Sequence, residues 1–242
     1  MELDASSLER LKPDELRPGD ATGQEALRIG LERYAFAARH ARPGRLLDIA
    51  CGAGYGTRAL TDAAAQASHG LGVDLSQEAI AYARAHYAND RTGFVACDAM
   101  RFTDPEGFDT IVSIETIEHL REPLGFVDRI VSLLCPGGAI VASVPVTPSV
   151  DANPHHLHDF TERSFQRLFT RHDLVEVDRL EQDQPFGLRA VMSRSEARMQ
   201  DMRRNLLAWY LAHPSSLFCR VASTLRHGFK NRYLTVVWRA PA

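Results

Sequence analysis

Three sets of residues in this chain have types and spacings suited to chemistry. The first is a glycine turn, Gly52-Ala53-Gly54-Tyr55-Gly56, entered from the apolar run Leu46-Leu47-Asp48-Ile49-Ala50. Glycine adopts backbone angles closed to other residues and lets a ligand approach the main chain. The N–H groups that open a following helix favour polar or anionic ligand groups. The second set is acidic: Asp48 ahead of the turn, then Asp74, Asp98 and Glu115, all at or near the ends of apolar runs. An ionised carboxylate only accepts hydrogen bonds, so Asp74 suits both hydroxyls of a ribose and Asp98 suits an adenine amino group. The third is the loop Asn153-Pro154-His155-His156-Leu157-His158-Asp159-Phe160, which packs three histidines and an acid into a short span.

The elements that must position these residues follow from hydrophobic periodicity. Residues 1–21 read as a loose polar arm, and Leu27, Leu31, Tyr34 and Ala38 fall at helical spacing from Thr22 until Pro43-Gly44 ends the run. Tyr34 and Phe36 either pack this helix on the core or form an aromatic lid over a ligand. Strands are expected at 46–50, 70–74, 93–98, 108–114 and 139–144, separated by helical stretches at 55–67, after Ser76 and at 122–134, with Pro136-Gly137-Gly138 turning into the fifth strand. That alternation predicts a parallel sheet with helices on both faces and ligand-contacting loops at the carboxyl ends of the strands. Gly52, Gly54, Asp74, Asp98 and Glu115 all fall at those ends.

Beyond strand five, a helix is expected from Thr161, a strand over 174–180, helices over 194–213 and 215–227, and a closing strand over 233–238. The whole chain reads as a single α/β domain: an arm and helix over 1–44, a core over 45–145, and a substrate-side half over 146–242 with a helical insertion at about 183–231. Lys plus Arg number 28 against 31 Asp plus Glu, a net charge of −3 that argues against general nucleic-acid binding. No apolar run approaches the roughly 18 residues of a membrane span, and the polar start is unlike a signal peptide. Cys51, Cys97, Cys135 and Cys219 lack metal-ligand spacing and read as small buried thiols of a cytoplasmic protein.

The glycine turn narrows the ligand. A dinucleotide site expects a third glycine where Thr57 stands. Asp48 is awkward beside a pyrophosphate but suits an ammonium group, so an adenosine joined to an amino acid fits better. At this point the residues resemble the class I S-adenosylmethionine-dependent methyltransferases. LLDIACGAGYG is similar to their first motif, Gly72-Val73-Asp74-Leu75-Ser76 to the second and Val95-Ala96-Cys97-Asp98-Ala99 to the third. Phe108–Ser113 followed by Glu118-His119-Leu120 resembles the fourth, and Leu134-Cys135-Pro136-Gly137-Gly138 the turn into strand five.

The resemblance implies a Rossmann-like, doubly wound, mostly parallel seven-stranded sheet whose last strand is antiparallel. It also implies S-adenosyl-L-methionine as cofactor, with S-adenosyl-L-homocysteine as product. Asp48, Ala50, Gly52 and Gly54 would shape the methionine end, Asp74 and Leu75 the ribose, Asp98 and Ala99 the adenine, with Glu115 and His119 lining the pocket.

The methyl acceptor is read from the histidine loop. A hydroxyl acceptor needs a base, and histidine titrates near neutral pH. His156 is the first choice, oriented by Asp159, with His119 a further catalytic candidate or a structural donor to the backbone. Tyr34, His155 and His158 are candidate substrate contacts. A solvated loop whose histidines satisfy local hydrogen bonds stands level with the base as an alternative, and a divalent metal held by His156, His158 and Asp159 stands behind both. The loop also resembles a segment of methyltransferases from bacterial polysaccharide and natural-product pathways, implying a saccharide or hydroxylated metabolite as substrate. A quinone-pathway ring carbon, a phenol or an amine remains open as acceptor. So does a non-catalytic binding role on the same fold; a nicotinamide-dependent dehydrogenase fits least. The insertion, with Arg189, Arg194, Arg198, Arg203, Arg204, Trp209, Tyr210 and Phe218, reads as an edge-packed helical pair, a substrate cap, a phosphate receiver or a homodimer interface.

Overall fold

The computed structural model describes residues 11–16, 19–185 and 205–241. Asp20 opens helix α1 (Ala21–His40) by accepting a hydrogen bond from the Gly23 N–H at 2.9 Å, satisfying one of the donors that a helix start leaves over. The buried stripe of α1 is Ile29, Arg33, Tyr34, Ala37 and Ala38, while Leu31 faces solvent. Strand β1 (Gly44–Ile49) then enters the core, and α2 (Tyr55–Ala63) starts from the left-handed Gly54. Helix α2 stops at Ala63 rather than 67, because Ala67 already begins β2 (Ala67–Asp74).

Ser76 caps α3 (Gln77–Tyr87) by accepting from the Ala79 N–H. Strand β3 (Thr92–Ala96), β4 (Phe108–Ile114), α4 (Pro123–Ser132) and β5 (Leu134–Pro145) complete the alternating half. Strand β5 takes in Pro136-Gly137-Gly138, expected as a turn before it; the pairing of β4 with β5 shifts register between Phe108 and Thr110 to absorb that stretch.

Thr161 and Ser164 form a reciprocal cap at the start of α5 (Glu162–Phe169). Strand β6 (Val175–Pro185), helices α6 (Leu206–Ala212) and α7 (Pro214–His227), and β7 (Lys230–Arg239) finish the chain. The insertion is therefore narrower than expected: Asp183 and Asn231 lie inside β6 and β7 as paired strand residues. Most of the helix expected over 194–213, and all five arginines quoted above, lie outside the described residues.

The sheet order is β3-β2-β1-β4-β5-β7-β6. Neighbours among β1 to β5 pair in parallel, and β7 runs antiparallel to both β5 and β6. The order reverses between β1 and β4, which is where open α/β sheets leave a crevice for ligands. One face buries Leu47, Phe108, Phe126, Ile130, Phe165 and Trp238; the other buries Tyr34, Phe36, Leu46 and Leu60. Among the described residues, no helix is long and apolar enough to cross a membrane. Cys51 is buried as expected, but Cys219 on α7 is exposed.

Candidate functional site

The crevice is framed by backbone that ordinary residues avoid. Ala50 after β1 (φ 64°) and Glu115 after β4 (φ 51°) are left-handed without being glycine, as are the adjoining Gly52 (φ 56°) and Gly54 (φ 86°). Such conformations cost free energy and persist where the surroundings enforce them, often at ligand sites. The Cys51 N–H on Val73 O and the Gly52 N–H on Asp74 Oδ2, both 2.9 Å, tie the turn to the end of β2. An added Cβ at Gly54 would meet the Phe94 ring at 2.8 Å, so the close approach there requires glycine.

Asp74 uses both carboxylate oxygens, accepting from Gly52 and, at 2.9 Å, from the Ser76 N–H. Leu75 beside it is 54% exposed, an apolar side chain left open next to an acid. Asp98 Oδ1 accepts from the Met100 N–H at 2.9 Å, and Ala99 is half-buried next to it. Acid, open apolar side chain and second acid suit a ribose and the flat base attached to it.

Asp48 is only 1% exposed. Its Oδ2 accepts from Thr57 Oγ1 at 2.6 Å and its Oδ1 from the Tyr34 hydroxyl at 3.4 Å. Thr57, read in the sequence only as a missing glycine, thus anchors α2 to β1, and Tyr34 ties α1 to the same carboxylate. Tyr34 is buried and meets Tyr55 edge-on at 6.1 Å; of its two readings, packing describes where it lies, and Phe36 is likewise buried.

Burial pushes the Asp48 pKa up to about 7, against the two hydroxyl hydrogen bonds, which lower it. Between the ordinary carboxylate value near 4 and about 7 the folded chain therefore holds a proton that the unfolded chain has lost. Stability from this group is fully present below that window and falls as pH rises through it. Urea denaturation across pH 4.5 to 8 should show this slope, and Asp48→Asn should flatten it; an unchanged slope in the variant would refute the assignment.

At the other side of the crevice, the short 3-10 turn Ile117–His119 carries Glu118, which is 0% exposed. Among the described residues, neither carboxylate oxygen of Glu118 has a hydrogen-bond partner. Burial first, and the nearby Glu115 charge second, raise its pKa well above the carboxylate range, with Arg33 opposing. Glu115 accepts from Ser143 Oγ at 2.8 Å and lies 3.5 Å from Arg33 Nη1. Arg33 is itself buried, with Nε on Gln182 Oε1 at 2.8 Å and its guanidinium over the Tyr233 ring.

The histidine loop folds back over this turn, its Leu157 N–H donating to Glu118 O at 2.8 Å. The His119 and His156 rings meet edge-on with centroids 4.6 Å apart. His119 Nδ1 lies 3.2 Å from His155 O, and His156 Nδ1 lies 2.7 Å from Ser149 Oγ. Asp159 does not reach His156 directly as expected: its Oδ1 accepts from the Ser149 and Val150 N–H groups and from Ser149 Oγ. Ser149 thus bridges the acid and the histidine. His158 turns away, with Nε2 2.8 Å from Leu120 O. His156, His158 and Asp159 are therefore not gathered as one ligand set; Glu118, His119 and His156 are, each offering an atom within 4.8 Å of the others.

The insertion closes on the same loop. Asp151, also buried, accepts from the Tyr210 hydroxyl of α6 at 2.5 Å and from Arg220 Nε of α7 at 2.8 Å, while Arg220 also reaches Pro148 O. Sequence reading missed Glu118 as a site residue, Arg33, Ser149 and this clamp. Arg33 had a signal, a charge on the buried stripe of α1. Glu118 had one in its spacing of three from Glu115. Ser149 and Asp151 carried none, because their partners are brought near only by the fold.

Residues 47–142 match the family described as "Methyltransferase domain". A ubiquinone biosynthesis O-methyltransferase of Xanthomonas campestris pv. campestris is 28% identical over 149 residues, covering 53% of this chain and 61% of that protein, so the match spans about three fifths of the relative. Two solved structures share the fold. One is an N-methyltransferase, NodS, of Bradyrhizobium japonicum WM9 in complex with S-adenosyl-L-homocysteine (TM-score 0.61, 17% identity, 98% of this chain and 95% of that one). The other is the [4+2]-cyclase SpnF (TM-score 0.63, 21% identity, 93% and 86%).

Proposed function

Starting from a chain whose residues 47–142 belong to the methyltransferase domain family, of the class I S-adenosylmethionine-dependent kind, we propose that it transfers a methyl group to a hydroxyl of a small molecule. The observation that carries this is the pairing of two half-sites across the β1/β4 crevice: the Asp74–Leu75–Asp98 cradle on one side and the His119–His156 pair on the other. When bound, the cofactor supplies a sulfonium methyl whose C–S bond breaks as the acceptor's O–C bond forms, leaving a neutral thioether. The residues of this chain then have to orient the acceptor, exclude water and take one proton from the hydroxyl.

His156 is our choice for that proton. Ser149 can donate its hydroxyl hydrogen to Asp159, and Oγ then accepts from His156 Nδ1–H, which puts the lone pair on Nε2. His119, donating Nδ1–H to the His155 carbonyl, has the same tautomer. The clamp of Asp151 on α6 and α7 supports the reading of the insertion as a cap that holds this loop. The relative's printed name favours a phenolic hydroxyl in quinone synthesis; a saccharide hydroxyl is the second reading, resting on the histidine loop alone. We place the reaction in the cytoplasm.

Calorimetry with S-adenosyl-L-homocysteine is the first test, and absence of binding would end this proposal. Asp74→Asn should weaken that binding by about tenfold to a hundredfold, the worth of a charge-assisted hydrogen bond. Asparagine has a single acceptor oxygen, so the variant also leaves Gly52 or Ser76 facing an NH2 group. Methyl transfer from labelled cofactor to a panel of phenols and sugars then identifies the acceptor. Cofactor binding without transfer to any of them would favour a non-catalytic role.

A further inference from the structure

Helix α7 is turned the wrong way for a helix packed by its apolar side. Leu217, Phe218, Val221 and Leu225 are exposed, Phe218 at 74% and Leu225 at 84%, while Ser216, Arg220, Ser223 and Thr224 are half-buried. Burial of apolar surface, the usual reason a helix presents one side to a fold, therefore does not select the face of α7 that meets the domain. A charged contact does. Arg220 donates from Nε to Asp151 Oδ2 at 2.8 Å, and from Nη2 to Asp151 Oδ1 and, at 2.6 Å, to Pro148 O. Two bonds to one carboxylate fix direction as well as distance. Burial by itself would raise the Asp151 pKa; the bonds from Arg220 and Tyr210 outweigh it and hold the carboxyl below its usual range.

The two groups that Arg220 holds flank one residue. Pro148 precedes Ser149, and Asp151 follows it by two. Ser149 Oγ lies 2.7 Å from His156 Nδ1 and 3.3 Å from Asp159 Oδ1. Ser149 O accepts from the Ala152 and Asn153 N–H groups at 3.1 and 2.8 Å, and Asn153 O accepts from the His156 N–H at 3.3 Å. The loop from Pro148 to His156 is thus tied together by its own hydrogen bonds, and Arg220 holds it from outside.

We propose that Arg220 is a positioning residue for His156: from α7 it fixes the loop on both sides of Ser149, and so sets where the imidazole points and which of its nitrogens carries the proton. The inference rests on the reading of His156 as the proton acceptor. Arg220 acts only through Ser149 and is not itself a catalytic residue. The task is one that lysine cannot take over, because an ammonium is a point charge without the planar fork.

The test is NMR of the full-length protein carrying 15N-labelled histidine, with S-adenosyl-L-homocysteine binding measured on the same samples. The parent should show a His156 Nδ1–H resonance protected from exchange with water, assigned by its loss in His156→Ala. Arg220→Ala should speed that exchange by about tenfold or more as the loop opens more freely, and millimolar ethylguanidinium should restore part of the protection. Arg220→Lys should behave like Arg220→Ala. Tyr210→Phe, which leaves the fork in place, should give a smaller change in the same direction. Binding of S-adenosyl-L-homocysteine should stay within about twofold of the parent in all three.

With an acceptor identified from the phenol and sugar panel, Arg220→Ala should lower kcat by about tenfold to a hundredfold, the scale of an ångström's misplacement, with KM for the cofactor unchanged. In the Ser149→Ala background the same substitution should cost less than about threefold, since its route to the histidine is already cut. Arg226→Gln, on the exposed side of α7, should match the parent in every measurement.

A freely exchanging His156 ring proton in the parent, or parental protection in both Arg220→Ala and Arg220→Lys, overturns the proposal. So does an undiminished loss of kcat in the Ser149→Ala background, which would show Arg220 acting on the fold at large. Melting curves identify a variant that has failed to fold, and Arg220→Lys and Tyr210→Phe then decide. Slow turnover in His156→Ala beside parental protection and turnover in Arg220→Ala overturns this inference alone; parental turnover in His156→Ala overturns the proton-accepting reading itself.

Discussion

His156→Ala should lower turnover by about a hundredfold to ten-thousandfold, the range for loss of a positioned acid–base group, while S-adenosyl-L-homocysteine binds within about twofold of the parent. The separation follows from the geometry. His156 is bonded to Ser149 on the loop after β5, whereas the proposed cofactor contacts lie at the ends of β1 and β2 and in the turn after β3. Added imidazole should restore part of the rate by occupying the space the side chain leaves. Turnover within threefold of the parent would remove His156 from the mechanism. A matching loss of cofactor affinity would show instead that the loop has collapsed into the crevice. Ser149→Ala offers a finer readout: it frees the ring from its link to Asp159, so the rate should fall less and the pH profile of kcat should move.

Gly56→Ala should cost about 3 kcal/mol or more of folding stability, at the upper end of what overpacking a core does. A methyl group there would overlap the Tyr34 ring, which has no room to retreat. Tyr34 is buried, hydrogen-bonded to Asp48 and packed edge-on against Tyr55. For a domain of this size, that loss lowers the melting temperature by about 6–12 °C. Tyr34→Ala alone should cost about 3–5 kcal/mol through the cavity it leaves. The double variant should be at least about 1 kcal/mol more stable than the sum of the two losses, because the added methyl enters the vacated space. Additivity within about 0.5 kcal/mol would mean that the two residues do not constrain each other, and the packing account would fail. Urea denaturation of all four proteins completes the cycle.

The contrast between Gly54 and Gly56 shows what sequence reading separates poorly. Both stand in one short turn and look alike as residues. Gly54 is needed for a left-handed helix start and a close backbone approach beside Phe94. Gly56 lies inside α2 with ordinary helical angles, and only the Tyr34 ring from the preceding helix, α1, explains it. Thr57 is similar: in sequence it marks a departure from a dinucleotide motif, and in the fold it is the principal hydrogen-bond donor to Asp48.

The alternating half of the molecule was legible because its determinants are local. Alternating apolar runs and helical stretches specify a parallel α/β sheet, and right-handed crossovers then bring the strand ends to one edge whatever the side chains do. Asp74, Asp98 and the glycine turn each stand within a few residues of the strand end that positions them, so sequence order alone places them at one crevice. The half beyond it depends on contacts between segments far apart in the chain. Glu118 and His156 are separated by all of α4 and β5, Asp151 meets Tyr210 and Arg220 across β6 and the insertion, and Arg33 meets Glu115 and Gln182 from α1. No local spacing encodes such meetings, because side-chain burial and pairing are properties of the packed whole. The sequence by itself determined the fold class and the placing of Asp74, Asp98 and the glycine turn at one edge of the sheet; only the tertiary structure decided that Asp159 meets Ser149 rather than His156, that His158 turns away, and that the buried Glu118 lies beside the two histidines.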